Sequence, residues 1–307
     1  MRVVRSTLLA LGLLLVLVPA ASAACLNVGV YQDDPGRSLP ALRKSVGRGV
    51  TVISTYMTAG RPLSPSVIKA ANRNRARLVV TWMPDAGRNG ASQPKYRLKA
   101  TAKGRYDASL RALGRQLGGV RRGAILRAMP EMNTPWNPWS GLANKNAPAD
   151  YAKAWNRVRR GLRSTPAGRK VKMLWSPYAR SIPDSGANAI RAYFPGSKQV
   201  DLVGASGYNF GACPPLLWSE PGALFGGAYA TIQALTAKPF WLAETGSAAA
   251  GGDKPGWIRT LASLKATSMP KLAGVLWYDV RDRYGDFRLK GAKVTAAFRG
   301  LLKGACK

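Results

Sequence analysis

Histidine is absent from this 307-residue chain, which excludes every mechanism that needs an imidazole: Ser/His/Asp and Cys/His nucleophile systems, HExxH zinc sites and His-ligated haem. Acids are scarce as well, with 14 Asp and Glu against 47 Lys and Arg, and Glu131, Glu220 and Glu244 are the only glutamates. In so Glu-poor a chain each glutamate needs a reason to exist. No Gly-rich dinucleotide or phosphate loop comes after any strand-like run, and beyond the N-terminal leader no stretch is apolar enough to span a membrane. With 46% hydrophobic and 20% charged residues there is apolar material for one large core. Intrinsic disorder, a collagen-like repeat and a small disulfide scaffold are thereby excluded.

The residues that are present begin with a secretory leader. Arg2 and Arg5 form a positive n-region, Thr7 to Val18 an apolar run, and Ala21-Ser22-Ala23 a small-residue cleavage site. The run is about twelve residues where a span needs about twenty, so cleavage is expected rather than a retained anchor. Ser22 stands where a lipobox has Leu, which sets aside a lipoprotein reading of Cys25. Residues 1–23 then form a signal peptide and 24–307 a single exported domain. Export places Cys25, Cys213 and Cys306 in an oxidising compartment. Cys25 precedes the first strand-like run and Cys306 closes the last helical one, so in a closed domain the chain ends meet. A Cys25–Cys306 disulfide is expected, with Cys213 left as a buried free thiol.

The net charge is +33, or +31 once Arg2 and Arg5 leave with the leader. Such a field attracts anionic cell-wall polymers, membrane surfaces or nucleic acid by counterion release. The basic residues are scattered, however, in short runs such as Arg73/Arg75/Arg77 and Arg157/Arg159/Arg160, rather than gathered in one patch. That distribution suits the basic surface of a secreted monomer, with anionic wall polymers as accessory partners and no specific nucleic-acid site.

Eight short apolar, β-branched runs recur: Asn27–Tyr31, Val50–Thr55, Arg77–Trp82, Ala124–Met129, Val171–Trp175, Val200–Ala205, Pro239–Ala243 and Ala273–Trp277. They alternate with stretches of helical period near Leu39–Val46, Ser64–Asn74, Tyr106–Leu117, Pro148–Leu162, Gly186–Tyr193, Gly222–Leu235, Lys254–Leu264 and Lys293–Leu302. Eight strand-then-helix units with no low-complexity linker predict a (β/α)8 TIM barrel of the α/β class, in preference to a doubly wound open sheet.

In a barrel, the residues at and just beyond the C-terminal end of each strand line the functional face. Those ends carry Tyr31, Asp33 and Asp34; Tyr56; Trp82 and Asp85; Glu131 and Asn133; Trp175 and Tyr178; Tyr208 and Asn209; Glu244; and Trp277, Tyr278 and Asp279. Aromatic faces stack on the apolar faces of sugar rings while carboxylates and Asn hold hydroxyls, so the inventory suits a carbohydrate cleft. Glu131 and Glu244 fall at the ends of the fourth and seventh strands, across the barrel mouth from one another. Glycoside hydrolysis needs one protonated and one ionised carboxyl group, about 5 Å apart in a retaining enzyme.

The segment Arg127-Ala-Met-Pro-Glu131-Met132-Asn133, with Trp136 and Trp139-Ser140-Gly141 after it, resembles the acid/base segment of glycoside hydrolase family 26, the β-mannanase family of the retaining (β/α)8 clan. Lys238-Pro239-Phe240-Trp241-Leu242-Ala243-Glu244-Thr245-Gly246 is similar to its nucleophile segment. Further matches are Trp175-Ser176-Pro177, Asp201-Leu202-Val203-Gly204 leading to Tyr208-Asn209, and Trp277-Tyr278-Asp279. The resemblance implies Glu131 as general acid and base, Glu244 as nucleophile, Tyr208 as the phenol orienting the nucleophile and Arg127 as the cation beneath the site. Trp82, Asn133, Trp136, Trp139, Trp175 and Trp277 become candidate substrate contacts, with two of the last four tryptophans expected to touch a sugar. Where the family has His before the acid/base, this chain has Pro130. The resemblance implies β-mannan as the leading substrate, while Pro130 and the basic charge set an acidic or substituted polysaccharide beside it.

Three other readings arise from the same residues. A barrel that binds carbohydrate or cell wall without turnover has no use for a desolvated carboxylate pair. Phosphoryl chemistry rests on charge alone, since Asp279, Asp282 and Asp286 alternate with arginines and are read as ion-paired rather than metal-binding. A polyanion-binding wall protein is distinguished by salt-sensitive retention with no sugar released. The two-carboxylate chemistry requires no cofactor and no metal.

Overall fold

The computed structural model describes residues 25–88 and 90–306, so the leader assigned to residues 1–23 lies outside the described residues. Eight parallel strands close into a barrel in chain order: β1 (Asn27–Tyr31), β2 (Val52–Thr58), β3 (Arg77–Met83), β4 (Ala124–Ala128), β5 (Lys172–Trp175), β6 (Leu202–Asn209), β7 (Phe240–Ser247) and β8 (Leu272–Tyr278). The seam is β1 on β8, with Val28 opposite Val275 and Tyr31 opposite Tyr278. The expected (β/α)8 fold is present. Around it lie α1 (Pro35–Val46), α2 (Pro65–Arg73), α3 (Leu98–Ala102), α4 (Asp107–Leu117), α5 (Pro148–Arg163), α6 (Pro166–Arg169), α7 (Pro221–Leu235), α8 (Lys254–Thr267) and α9 (Ala292–Leu302).

Local chemistry explains the helix boundaries. α1 starts where the Asp34 carboxylate accepts the Gly36 and Arg37 N–H groups and Pro35 takes the first turn, a position that needs no N–H. In α5, Asp150 accepts the Ala147 N–H at 3.1 Å, while Tyr151, Ala154, Trp155, Val158 and Leu162 bury one face at spacings of three and four.

One expected helix is missing. Between β5 and β6, the stretch read as helical over Gly186–Tyr193 forms the 3-10 turns Gly186–Asn188 and Ile190–Tyr193 instead. The buried Ile190 and Tyr193 lie three apart, the 3-10 period. Asn188 also donates to the carbonyls of Asn133 and Pro183 and accepts from the Tyr193 hydroxyl, so side chains tie this segment to the barrel mouth.

The core has two layers. Val52, Val79, Ile125, Leu174, Leu202, Trp241, Ala243 and Leu276 fill the barrel interior, and a larger shell packs between strands and helices. Trp241 reaches the neighbouring strand only because residue 274 is glycine, where an added Cβ would meet the indole at 2.2 Å. This apolar plug closes the lower barrel, so polar groups collect toward the strand C-termini.

The chain ends meet as expected. Cys25 and Cys306 are disulfide-bonded with Cα atoms 4.8 Å apart. Backbone bonds flank the link, Leu26 N–H to Gly304 O at 2.8 Å and Cys306 N–H to Leu26 O at 2.9 Å. Cys213 is free but only half-buried, contrary to the expectation of a buried thiol. Its Pro-rich loop rides on the barrel rim, where Leu217 is 69% exposed. Breaking the link with Cys25→Ser should lower stability by about 3 kcal/mol, because it releases a long loop in the unfolded chain. Denaturant melts should show that loss, and Cys213→Ser should leave the midpoint unchanged.

Candidate active site

Strand parity decides which side chains face the mouth, since successive ones alternate between the barrel interior and the helix shell. Counting upward from the interior plug, Val79 leads to Thr81, Ile125 to Arg127, Leu174 to Ser176, and Val52 to Ser54 and Tyr56. At the centre stands Arg127, 1% exposed. Its Nη1 donates to Glu244 Oε2 at 2.5 Å and to Thr81 Oγ1 at 3.4 Å, its Nε to Ser176 Oγ at 3.4 Å, and its Nη2 to Ser206 Oγ. The same Nη2 lies 3.5 Å from Glu131 Oε1. A single guanidinium therefore spans both glutamates and ties five strands together. Burial alone would lower its pKa, but the charges of Glu244 and Glu131 outweigh that and raise it, so the cation persists in the interior.

The two carboxyl groups differ in their surroundings. Glu244, 3% exposed, accepts the Tyr56 and Tyr208 hydroxyls on Oε1 and the guanidinium on Oε2, so three donors orient its carboxylate plane. Burial and, after it, the Glu244 charge raise both phenol pKa values well above the usual range, and these groups remain donors. Glu131 keeps a side-chain exposure of 15% and accepts the Trp136 Nε1–H on Oε2 at 3.0 Å. Its pKa is raised by burial; Arg127 acts against this and Glu244 adds to it, while hydrogen bonds from Trp136 and Ser206 act to lower it.

Glu131 is presented by a strained backbone. Met129 and Glu131 have φ of 46° and 56°, left-handed values either side of Pro130. Side chains hold the turn: the Tyr151 hydroxyl donates to Met129 O at 3.1 Å, Trp139 Nε1 to Pro130 O at 2.7 Å and Thr134 Oγ1 to Glu131 O at 2.6 Å. The Glu131 N–H itself donates to Ser176 O at 2.9 Å.

Glu131, Glu244, Arg127 and Tyr208 thus converge, but most of the proposed sugar platforms do not join them. Trp82, Trp175 and Trp277 have the opposite parity and point into the helix shell, against Tyr106, Phe194, and Trp257 with Phe298 respectively. Trp139, 1% exposed, is spent on Pro130. Asn133, fully buried, pairs with the Tyr178 backbone in both directions, at 2.8 and 3.0 Å, and so pins two rim loops. As substrate contacts these five are corrected to core and loop supports. Of the six candidates Trp136 alone stays open, at 40% exposure, edge-on to Tyr178 at 5.3 Å.

The open aromatic surface is made of tyrosines. Tyr31 stacks on Tyr278 at 5.5 Å and meets Tyr56 edge-on at 4.7 Å, and Tyr278 meets Tyr208 edge-on at 5.7 Å. Tyr56 as a second phenol on Glu244 does not stand out in the sequence; interior parity on β2 is the signal that finds it. Glu220 lies on the rim, accepting from Trp218 Nε1 at 2.6 Å. Asp286 pairs with Arg288, Asp279 accepts from Gln32 and the Leu289 N–H, and Asp282 accepts the Tyr284 N–H. Among the described residues no three His, Cys, Asp or Glu side chains gather as metal ligands.

No protein-family model matches the chain. Among curated proteins, Endoglucanase H of Acetivibrio thermocellus is 24% identical over 274 residues, which are 88% of this chain and 28% of that protein. The chain thus spans little more than a quarter of the curated relative it matches. Among solved structures, the catalytic domain of the GH26 endo-β-1,4-mannanase of Bacillus sp. JAMB-750 aligns with a TM-score of 0.66 at 14% identity, over 91% of this chain and 86% of that one. The Bacillus subtilis mannanase BCman aligns with a TM-score of 0.61 at 17% identity, over 89% and 84%. Several structural neighbours are mannanases, a fungal β-1,4-galactanase is another, and the chain shares their barrel fold.

Parity sets the cost of truncation. Trp175→Ala should destabilise the protein by about 3–5 kcal/mol. Trp136→Ala should stay within about 0.5 kcal/mol of wild type. Urea melts of the two variants check both values.

Proposed function

We propose that the chain is a retaining β-glycoside hydrolase, endo-acting on a polysaccharide. The observation that carries this reading is the single Arg127 guanidinium set between two glutamates at the barrel mouth, one wrapped by three donors and the other raised by burial. In the first step a Glu244 oxygen attacks the anomeric carbon while Glu131 gives its proton to the departing glycosidic oxygen, leaving a glycosyl ester on Glu244. In the second, Glu131 takes a proton from water, the water oxygen bonds the anomeric carbon, and the ester bond breaks to restore Glu244. Tyr56 and Tyr208 aim the nucleophile, and the sugar losing its partner lies among Tyr31, Tyr56, Tyr208 and Tyr278. The leaving sugar stands beside Glu131, with Trp136 and Tyr178.

β-Mannan is the leading substrate, in keeping with what the structural neighbours are named for, and the high basic charge favours an acidic or substituted chain beside it. The enzyme is exported after cleavage near Ala23, works as a monomer without a cofactor, and meets anionic cell-wall polymers through its basic surface. The Cys25–Cys306 disulfide fits that destination.

A mechanism-based fluoro-sugar should label the peptide containing Glu244; labelling of any other carboxylate would sink the assignment. Glu131→Ala should lose most turnover on substrates with poor leaving groups and regain it with added azide, read as a new glycosyl azide. Trp136 donates to the charged form of Glu131, so its loss favours the proton. Trp136→Phe should therefore shift the alkaline limb of the kcat/KM profile to higher pH, and an unmoved or lowered limb contradicts the acid role.

A further inference from the structure

Beside the catalytic mouth, the loops after β2 and β3 enclose a groove of about 430 Å³, lined by Thr58, Arg61, Asp85, Tyr96, Arg105 and Tyr106. It shares no lining residue with the site but lies close to it along β2. Tyr56, which holds Glu244, and Thr58 share one face of β2, and two residues of strand advance about 7 Å. The charges that the groove opens to solvent are those of two arginines. Asp85 is 8% exposed, and its Oδ1 is taken by the Gly87 N–H at 2.8 Å. Arg61 and Arg105 are both exposed, and among the described residues neither has a carboxylate within ion-pair distance, although the Arg61 charge acts at longer range on the buried Asp85 carboxyl. Arg105 is also preset: its guanidinium lies 5.6 Å from the Tyr96 ring centre and 5.9 Å from that of Tyr106, and its Nη1 donates to Lys95 O at 2.9 Å. A guanidinium held in this way has less freedom to lose on binding, and its remaining N–H groups match the two oxygens of a carboxylate.

We propose that this groove is a subsite for a uronate residue of the chain that the mouth cleaves, which rests on the hydrolase reading and makes the substrate an acidic polysaccharide. The decisive pair of ligands is β-1,4-linked hexamannuronate and β-1,4-mannohexaose, which share a backbone and differ only in carboxylate against hydroxymethyl. Binding is measured by calorimetry on full-length Glu244→Ala protein, so that neither is consumed, at low and high salt. Hexamannuronate should bind about tenfold tighter than mannohexaose at low salt, the worth of one or two hydrogen bonds to a charged group. Arg61→Ala and Arg105→Ala, added singly and with unchanged circular dichroism, should each remove most of that preference and leave mannohexaose binding as it was. Among the described residues Arg61 makes no cation–π contact, so its variant keeps the test sound even if Arg105→Ala unfolds.

Equal affinity for the two hexamers, or a preference that survives both substitutions, overturns the subsite. A polyphosphate of matched charge should bind the arginine variants as well as the parent; if it loses binding in parallel, the groove reads charge and not a sugar acid, and the inference falls. Hydrolysis is scored separately on the protein with Glu244 intact. If neither hexamer is cut while the preference and its loss persist, the hydrolase reading fails and what stands is uronate binding by the groove alone. Cleavage of mannohexaose with no acidic preference gives the reverse.

Discussion

The site is organised around one buried cation. Arg127 sits where the apolar plug of the barrel gives way to polar side chains, with almost no access to water, so its charge has to be met from within. Glu244 meets it at 2.5 Å and Glu131 at 3.5 Å, while Thr81, Ser176 and Ser206 accept its remaining hydrogens. Five strands are thereby held in mutual register by one planar group. Neither glutamate could be buried so near the other without it, since two facing carboxylates in a low-dielectric pocket repel. Charge scarcity takes on a meaning here: two of the three glutamates in the chain are committed to a single arginine.

The barrel is legible in the sequence because its alternation is strong. Eight β-branched runs separated by helical stretches mark the strands, and the glutamates at the fourth and seventh ends stand out in a chain with so few acids. Facing is not legible to the same degree. Hydropathy alone ends β6 near Ala205 and β7 near Ala243, whereas the strands continue to Asn209 and Ser247, and a register shift separates Ala205 from Ser206. A one-residue error in such counting exchanges interior for exterior. Trp82, Trp175 and Trp277 end strands whose bounds are legible, yet their parity turns them into the shell, while Tyr56, also read at a strand end, proves to grip Glu244.

The segment between β5 and β6 is hard to read for a different reason. Its apolar residues at a spacing of three suit a helix on paper, yet Asn188, itself held by Tyr193 and Pro183 within the segment, makes a long-range bond to Asn133 O that belongs to no local pattern. That bond ties the turn to the loop after β4, where Asn133 in turn holds the backbone of Tyr178. Polar residues without an evident place in a strand-helix scheme serve the geometry of the mouth from below.

The disulfide between Cys25 and Cys306 has a topological consequence beyond its effect on the unfolded chain. With β1 hydrogen-bonded to β8 and the two ends covalently joined, the backbone between those cysteines is a closed ring laid over a closed sheet. A single cut in any rim loop then yields no separate fragments. It opens the ring elsewhere, turning the molecule into a permuted version of itself with every strand still bracketed by its two neighbours. For a protein proposed to be exported, one proteolytic nick is a change of connectivity rather than a loss of the barrel.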